Sequence, residues 1–399
     1  MLEFSLLEFA PPIIQIKFSR MLDQNSIQSL ISIRKKIHAN PEVSGLEFQT
    51  QKLILDYLKE LKVFKISIVG KTGVLAYFEG VDQGSAIMIR GDIDALPIQE
   101  VNTFEYKSTK KGVSHKCGHD GHTTILLGLA KLLVENPISK GSVALLFQPA
   151  EENGMGAEAV MSDPEFQQYT FDFVFALHNL PSYNLNTIVV KNSEFTANVK
   201  SMIIKLHGKT SHAAEPELGI NPSSAISRIL LKAEEMTNNN PEKKDFFLVT
   251  PIFLSMGELA YGISAGYGEV HFTIRSWSTE LMNEQCDVLL RYINDVSKSD
   301  GLSPEISWTQ VFHANLNHPR AVEHIRKAAA ELSLEIEERA YPFKWGEDFG
   351  LFTQKFPGAM FGIGAGQNSP ALHNPDYDFP DEILPNAVSM FYNIIHQIL

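Results

Sequence analysis

The sequence has few cysteines, a deficit of positive charge and no long apolar run. Only two of its 399 residues are cysteines, Cys117 and Cys286, so a disulfide framework is excluded. The 34 lysines and arginines are outnumbered by 47 aspartates and glutamates, and the net charge of -13 argues against a nucleic acid partner. No stretch of about 18 apolar residues occurs, so we expect neither a transmembrane helix nor a membrane partner.

The N-terminal segment also lacks the features of a secretory signal. It carries Glu3 and Glu8, has no early basic residue and is interrupted by a proline pair. We interpret residues 1–20 as a loosely attached leader, and Met21 could be the natural start. Because Cys117 lies among histidines, a reduced thiolate and a cytoplasmic location are expected.

Short apolar runs alternate with helical stretches along the chain. Runs such as Ser142 to Phe147 are apolar throughout, which is typical of strands buried on both faces of a mainly parallel sheet. Further along, strands such as Lys200 to His207 alternate apolar and polar residues. These patterns predict an α/β catalytic domain built from residues 21–186 and 313–399, with a smaller α+β lid or dimerisation domain inserted at 187–312.

The most distinctive segment runs from Cys117 to His122, with the sequence CGHDGH. It brings a thiol, two imidazoles and a carboxylate into a glycine-containing loop that opens a predicted helix. Thiolate and imidazole together suit zinc and similar ions, so we take Cys117 and His119 as candidate ligands. The alternative is a polar turn in which Asp120 caps the helix.

Other metal-binding side chains follow predicted strands. Glu151 and Glu152 come directly after one apolar strand, and His178 ends the next. Because strand ends of open α/β sheets line one crevice, we expect these groups to meet. Adjacent carboxylates point in different directions, so one can bind metal while the other faces a water molecule. Asp92 and Asp94 follow a further strand and are expected to orient ligands.

Two more histidines lie outside these segments. His373 follows a late strand and could supply a ligand from the far end of the chain. His212 lies inside the inserted segment, and from its surroundings alone we interpret it as structural. Histidines within patterned elements, such as His38, are also interpreted as surface or structural residues.

Taken together, these segments resemble the aminoacylase/carboxypeptidase superfamily of metallopeptidases. Within it they are similar to the amidohydrolase branch of hippurate hydrolases, N-acyl-amino acid amidohydrolases and auxin-conjugate hydrolases. The resemblance covers about residues 34–385. It rests on these motifs: Arg34–Glu42 (RKKIHANPE), Arg90–Pro97 (RGDIDALP), Cys117–His122 (CGHDGH), Phe147–Glu152 (FQPAEE), Ala176–Pro181 (ALHNLP), Gly208–Pro216 (GKTSHAAEP), Glu347–Phe349 (EDF) and Leu372–His373.

The resemblance implies a site with two divalent metal ions. The implied ligands are a bridging Cys117 together with His119, Glu152, His178 and His373. Zinc is the expected metal, with manganese, cobalt or nickel as alternatives, since a thiolate bridge disfavours ions that resemble magnesium.

The resemblance also implies roles in catalysis. Glu151 would act as general base and then as general acid, and we count Asp94 with the catalytic groups through its orienting role. His212 would reach the scissile carbonyl from the inserted domain, in similar enzymes often across a homodimer interface. Arg275, on a strand of the inserted domain, would hold the substrate carboxylate.

The expected reaction is hydrolysis of the amide bond in a small N-acyl amino acid. Small dipeptides and N-acetyl-diaminopimelate are alternative substrates of the same site. Two other interpretations stay open: a cysteine hydrolase with Cys117 as nucleophile, and a metal- or small-molecule-binding protein without turnover. Pocket shape selects the acyl group, and we expect apolar loops around Phe246 to Met256 to contribute to it.

Overall fold

A large mixed sheet organises the chain in the computed structural model, which describes residues 22–399. The expected leader and the alternative start at Met21 lie outside these residues. In chain order, the strands of the sheet are β1 (Lys65–Val69), β2 (Gly73–Glu79), β3 (Asp82–Asp92), β4 (Lys140–Gln148), β5 (Phe173–Leu180), β6 (Ile188–Val190), β15 (Ile336–Glu338) and β16 (Gly358–Gly364). Their spatial order is β1-β2-β4-β3-β5-β16-β6-β15, and β4, β3, β5 and β16 run parallel. The predicted mainly parallel sheet is therefore confirmed.

Helices cover both faces of this sheet. They are α1 (Gln24–Ala39), α2 (Phe48–Glu60), α3 (His119–Glu135), α4 (Gly156–Met161), α5 (Pro164–Gln167), α8 (Pro319–Glu331), α9 (Gly350–Lys355) and α10 (Leu384–Ile398). Helices α1, α2, α3, α8 and α10 share one core, and α4, α5 and α9 share the other. Along β4, Val143 and Leu145 enter the first core while Ala144 and Leu146 enter the second. Burial on both faces explains why this strand is apolar throughout.

A second sheet lies in the inserted segment. Its antiparallel strands are β8 (Asn198–His207), β10 (Phe247–Met256), β12 (Tyr267–Ser276) and β13 (Ser303–Phe312), in the order β10-β12-β8-β13. Helices α6 (Ser223–Met236) and α7 (Thr279–Ser299) cover one face, with Ile229, Phe272 and Leu289 in the shared core. The predicted inserted α+β domain is confirmed.

Two details of the sequence interpretation need correction. The segment expected to form apolar loops, Phe246–Met256, is instead the edge strand β10, because its backbone pairs with β12. The expected boundary at residue 187 is too early, because β6 pairs with β16 inside the large sheet. At three residues, β6 is too short to show a pattern in the sequence. Two short ribbons complete the structure: β7 (Ser193–Glu194) with β14 (Leu316–Asn317), and β9 (Ser211–His212) with β11 (Ile263–Ser264).

Neither a membrane-spanning helix nor a disulfide is found in the part of the chain that the structure describes. No helix within residues 22–399 is both long and apolar enough to cross a membrane. Cys117 and Cys286 are both buried and unpaired.

Candidate metal centre

The predicted ligands meet where the parallel strands of the large sheet end. Four segments contribute five side chains, and we call this set the ligand cluster: Cys117, His119, Glu152, His178 and His373. The first two lie at the start of α3, and the others follow β4, lie near the end of β5 and follow β16. Because parallel strands end at the same edge of a sheet, segments far apart in sequence converge here.

The potential ligand atoms are close enough to share ions. The Sγ of Cys117 lies 3.5 Å from Nε2 of His178. The two carboxylate oxygens of Glu152 lie 3.8 Å from Nε2 of His119 and 3.6 Å from Nε2 of His373. The ligand atoms of Cys117, His119 and His178 all lie within 4.8 Å of one another, as do those of Cys117, Glu152 and His373. Cys117 belongs to both groups, which is the position that a bridging ligand requires.

Unpaired buried atoms show that the donor set fits divalent metal ions. Nε2 of His119 and Oε1 of Glu152 are buried and make no hydrogen bond, and each such atom costs about 1–3 kcal/mol if it stays unpaired. Burial, together with the charges of Glu152 and Glu151, raises the pKa of the Cys117 thiol well above its ordinary value. Burial also raises the pKa of Glu152 to about 8. Bound cations would supply both the missing partners and the missing positive charge.

One carboxylate orients two members of the ligand cluster. Oδ1 of Asp94 lies 3.1 Å from Nδ1 of His119, and its Oδ2 accepts the backbone N–H of Glu152 at 3.0 Å. Asp92 has a similar role behind the cluster, where Oδ1 lies 2.6 Å from Nδ1 of His122. Asp94 contacts the ligand segments rather than the cavity, which agrees with an orienting role that stays a prediction.

Unusual backbone conformations aim the ligands. Gly118 has a φ of +96°, and a Cβ there would lie 2.4 Å from Oδ1 of Asn179. Ala150 and His373 adopt φ values of +52° and +67° without being glycine, and such strain concentrates at functional sites. The alternative in which Asp120 caps α3 is wrong, because Gly118 precedes the helix and the Asp120 carboxylate faces α1.

A buried arginine that the sequence interpretation missed supports the floor of the site. The Arg90 guanidinium donates to Asp92 at 2.6 Å, to Glu347 at 2.8 Å and to Asp348 at 2.7 Å. Its signal in the sequence was an arginine within the otherwise apolar run AIMIR. Glu347 also lines the site, and after burial it is the main reason why the pKa of Glu151 lies well above its ordinary value.

The ligand cluster opens into a cavity of about 410 Å³ between the two domains. Its apolar wall consists of Val199, Phe312, Trp345 and Leu372, and its polar wall from the inserted domain consists of Thr273, Arg275 and Gln310. The Nε of Arg275 donates to the Lys344 carbonyl at 2.9 Å, and burial lowers the pKa of Arg275. The sequence did not single out Trp345, whose ring centroid lies 5.3 Å from that of His178.

His212 is a predicted site residue that the single chain brings neither to the cavity nor to the ligand cluster. It is exposed on the ribbon of β9 and β11, where it pairs with Ile263, and it is absent from the cavity lining. Its Nδ1 accepts the backbone N–H of Ala214 at 3.1 Å. Its catalytic role stays a prediction.

Comparison with known proteins gives consistent matches over nearly the whole chain. The profile of Peptidase family M20/M25/M40 matches residues 88–397. The chain is 32% identical over 375 residues to N-acetyl-L-cysteine deacetylase of Bacillus subtilis, covering 93% of this chain and 88% of that protein. It is 31% identical over 361 residues to hippurate hydrolase of Campylobacter jejuni, covering 90% and 94%. Its fold is similar to the Bacillus subtilis YXEP protein, a dinuclear metal binding peptidase, with a TM-score of 0.80, 29% identity and coverage of 94% and 100%.

We expect Asp94→Asn to weaken metal binding about 10- to 100-fold, because the carboxylate that orients His119 and Glu152 is lost. Isothermal titration of metal-free protein with zinc measures this change. Asp82→Asn is the matched control, since Asp82 is exposed at the start of β3. An Asp94→Asn protein with the affinity of the control would contradict the positioning role.

Proposed function

The chain belongs to Peptidase family M20/M25/M40, and on that premise we propose that it is a metal-dependent amidohydrolase of small N-acyl amino acids. The observation that carries this proposal is the ligand cluster, which stands beside the buried carboxyl group of Glu151 in a cavity between the domains. Relatives named N-acetyl-L-cysteine deacetylase, hippurate hydrolase and N-acetyldiaminopimelate deacetylase support the substrate class. The products would be a carboxylic acid and a free amino acid.

In this proposal the ligand cluster would hold two divalent ions, and Cys117 would be a ligand shared by its two groups of side chains. When bound, such ions polarise the amide carbonyl and lower the pKa of water so that it can attack at neutral pH. Zinc is the proposed metal because thiolate and imidazole ligands favour it, and manganese, cobalt and nickel are alternatives. The dinuclear metal binding of the YXEP protein supports two ions.

Glu151 is the proposed general base and general acid. Its side chain is buried beside the ligand cluster and lines the cavity. Burial and then the charges of Glu347 and Glu152 raise its pKa well above the ordinary value, so the carboxylate readily takes up a proton. It would take this proton from the attacking water and return it to the leaving amine.

Substrate binding is assigned to the two walls of the cavity. Arg275 would pair with the carboxylate of the amino acid, since its partly buried guanidinium lines the polar wall. The apolar wall, with Phe312 and Trp345, would hold the acyl group. Small dipeptides and N-acetyl-diaminopimelate are alternative substrates for the same two walls. A cytoplasmic location is part of the proposal because both cysteines are unpaired.

The arrangement favours a metal enzyme over a cysteine nucleophile. A nucleophilic cysteine needs a lowered pKa, whereas burial and neighbouring carboxylates raise that of Cys117. A cysteine mechanism would also leave the convergence of Glu152, His178 and His373 without a purpose. A binding protein without turnover would have no need for the buried Glu151.

We also propose a homodimer formed through the inserted domain. Strand β10 is an edge strand whose second half is exposed, with Ile252 at 61% and Leu254 at 54% exposure. Apolar edge strands of this kind are sites of association between chains. His212 lies on β9, whose partner strand β11 follows β10 in the chain, so association through β10 would bring His212 to the partner chain. There it would donate a hydrogen bond to the developing oxyanion.

Glu151→Gln is expected to reduce turnover by about 100- to 10,000-fold while metal binding is retained, because only the proton-transfer group is lost. The assay measures free amino acid released from acetyl, benzoyl and longer N-acyl amino acids, with bound metal determined by mass spectrometry. Glu158→Gln, at an exposed carboxylate on α4, is the control. A fully active Glu151→Gln enzyme would show that the base is another group.

Leu254→Glu is expected to produce a monomer with little activity, because it places a charge in the proposed interface. Sedimentation velocity gives the mass, and Leu231→Glu is the control because Leu231 is also exposed, at 65%, on α6.

Mixing inactive Glu151→Gln and His212→Ala chains should restore part of the activity, since a mixed dimer has one complete site. Full activity in a monomer, or no restoration on mixing, would contradict the role of His212 across the interface.

A further inference from the structure

We propose that Arg34, on α1, is a positioning residue for the ligand cluster. Its ion pairs with Asp378 and Asp381 hold the loop that carries His373 against the rest of the site. The inference rests on the proposed metal centre, but it concerns residues that contact neither metal nor substrate. Loosening this loop lowers the affinity for the ion that His373 would bind before it lowers the affinity for the other ion.

A largely buried polar network contacts the chain near every cysteine and histidine of the ligand cluster. We call this set the α1 network: Arg34, His38, Glu100, Lys116, Asp120, Asn179, Tyr377, Asp378 and Asp381. Lys116 precedes the cysteine ligand, Asp120 and Asn179 each follow a histidine ligand, and Tyr377 comes four residues after His373. One network therefore contacts four ligand residues, which lie in three distant segments of the sequence.

Arg34 is the centre of this network. It is completely buried, and its Nη1 lies 3.0 Å from Asp120 and 3.0 Å from Asp378, while its Nε lies 2.5 Å from Asp381. The rigid fork of a guanidinium fixes the relative position of the carboxylates that it binds. Arg34 thereby ties the start of α3 to the loop after His373.

A second branch of the network reaches the cysteine segment. His38 lies 2.9 Å from Asp120 through Nδ1 and 3.1 Å from Glu100 through Nε2. The ammonium group of Lys116 donates to Glu100 at 2.6 Å and to the Tyr377 carbonyl at 2.7 Å. The start of α3, the cysteine segment and the His373 loop are thus joined through buried charged groups.

The third branch reaches β5. The side-chain amide of Asn179 donates to the Tyr377 hydroxyl at 2.5 Å. Because Asn179 directly follows His178, this hydrogen bond links the histidine ligand of β5 to the same loop.

His373 depends on the network more than the other ligands do. Its side chain is 53% exposed, its φ is +67°, and it lies on a loop between β16 and α10 rather than on a helix or strand. Its backbone N–H donates to the Lys116 carbonyl at 2.7 Å, so its position is set by contacts to other segments. By contrast, His119 begins α3 and His178 lies within β5, where regular hydrogen bonding holds them.

The test is the double variant Asp378→Asn/Asp381→Asn. Both aspartates are partly exposed, and Asp120 remains to pair with Arg34, so this variant avoids the unpaired buried charge that Arg34→Ala would leave. Isothermal titration of metal-free protein with zinc gives the affinity for each ion. We expect the affinity for one ion to fall about 10- to 100-fold while the other is unchanged. Glu338→Gln, which breaks the exposed ion pair with Arg326, is the control.

His373→Ala provides the decisive comparison. If the network acts through His373, this variant weakens the same ion, and adding the two Asn substitutions weakens it no further. Unchanged affinities in the double variant, an equal loss for both ions, or additive losses in the triple variant would each overturn the inference. A wild-type chain that binds fewer than two zinc ions would instead contradict the proposed metal centre, and this inference with it.

Discussion

Buried acidic groups at one edge of the large sheet need positive charge, and the structure around them is arranged to provide it. Arg90 balances the negative charge of the carboxylates beneath the ligand cluster. Arg34 and Lys116 balance that of the carboxylates behind the segment of Cys117. For the Cys117 thiol and the carboxyl groups of Glu151 and Glu152, burial is the first cause of a raised pKa. A divalent ion is the partner that this set lacks, so metal binding and the stability of the site are coupled.

The fold explains why one chain can build such a site from distant segments. Parallel strands end at a common edge, and each strand end presents a different ligand segment there. The inserted domain then closes the cavity with the polar face of its sheet, where Arg275 and Thr273 lie. The basic groups behind the site, the ligand cluster at the sheet edge and the polar wall of the cavity are therefore supplied by different layers of the molecule.

The sequence was sufficient to predict those site residues whose side-chain type and neighbours in the chain indicate their chemistry. Glu152 and His373 follow apolar strands and His178 lies near the end of one, so strand ends and side-chain type indicated that they would meet, whereas the complete ligand set was implied by the family resemblance. Arg90 and Arg34 were not recognised because most of the carboxylates that they contact, such as Glu347 and Asp381, lie far away in the chain, and no local pattern indicates such pairs. The segment of β10 was interpreted as apolar loops, and its pairing with β12 shows that it is a strand. His212 lies on an exposed ribbon away from the cavity, so the proposed role of this residue requires a second chain, and that role stays a prediction.

The most direct test of the central claim is amino acid release from a panel of N-acyl amino acids by purified protein, before and after metal removal. Release that is lost with a chelator and restored by zinc or manganese is the predicted result, and the fastest substrate would identify the acyl group. Release that persists in metal-free protein would contradict the account and point to Cys117 as a nucleophile.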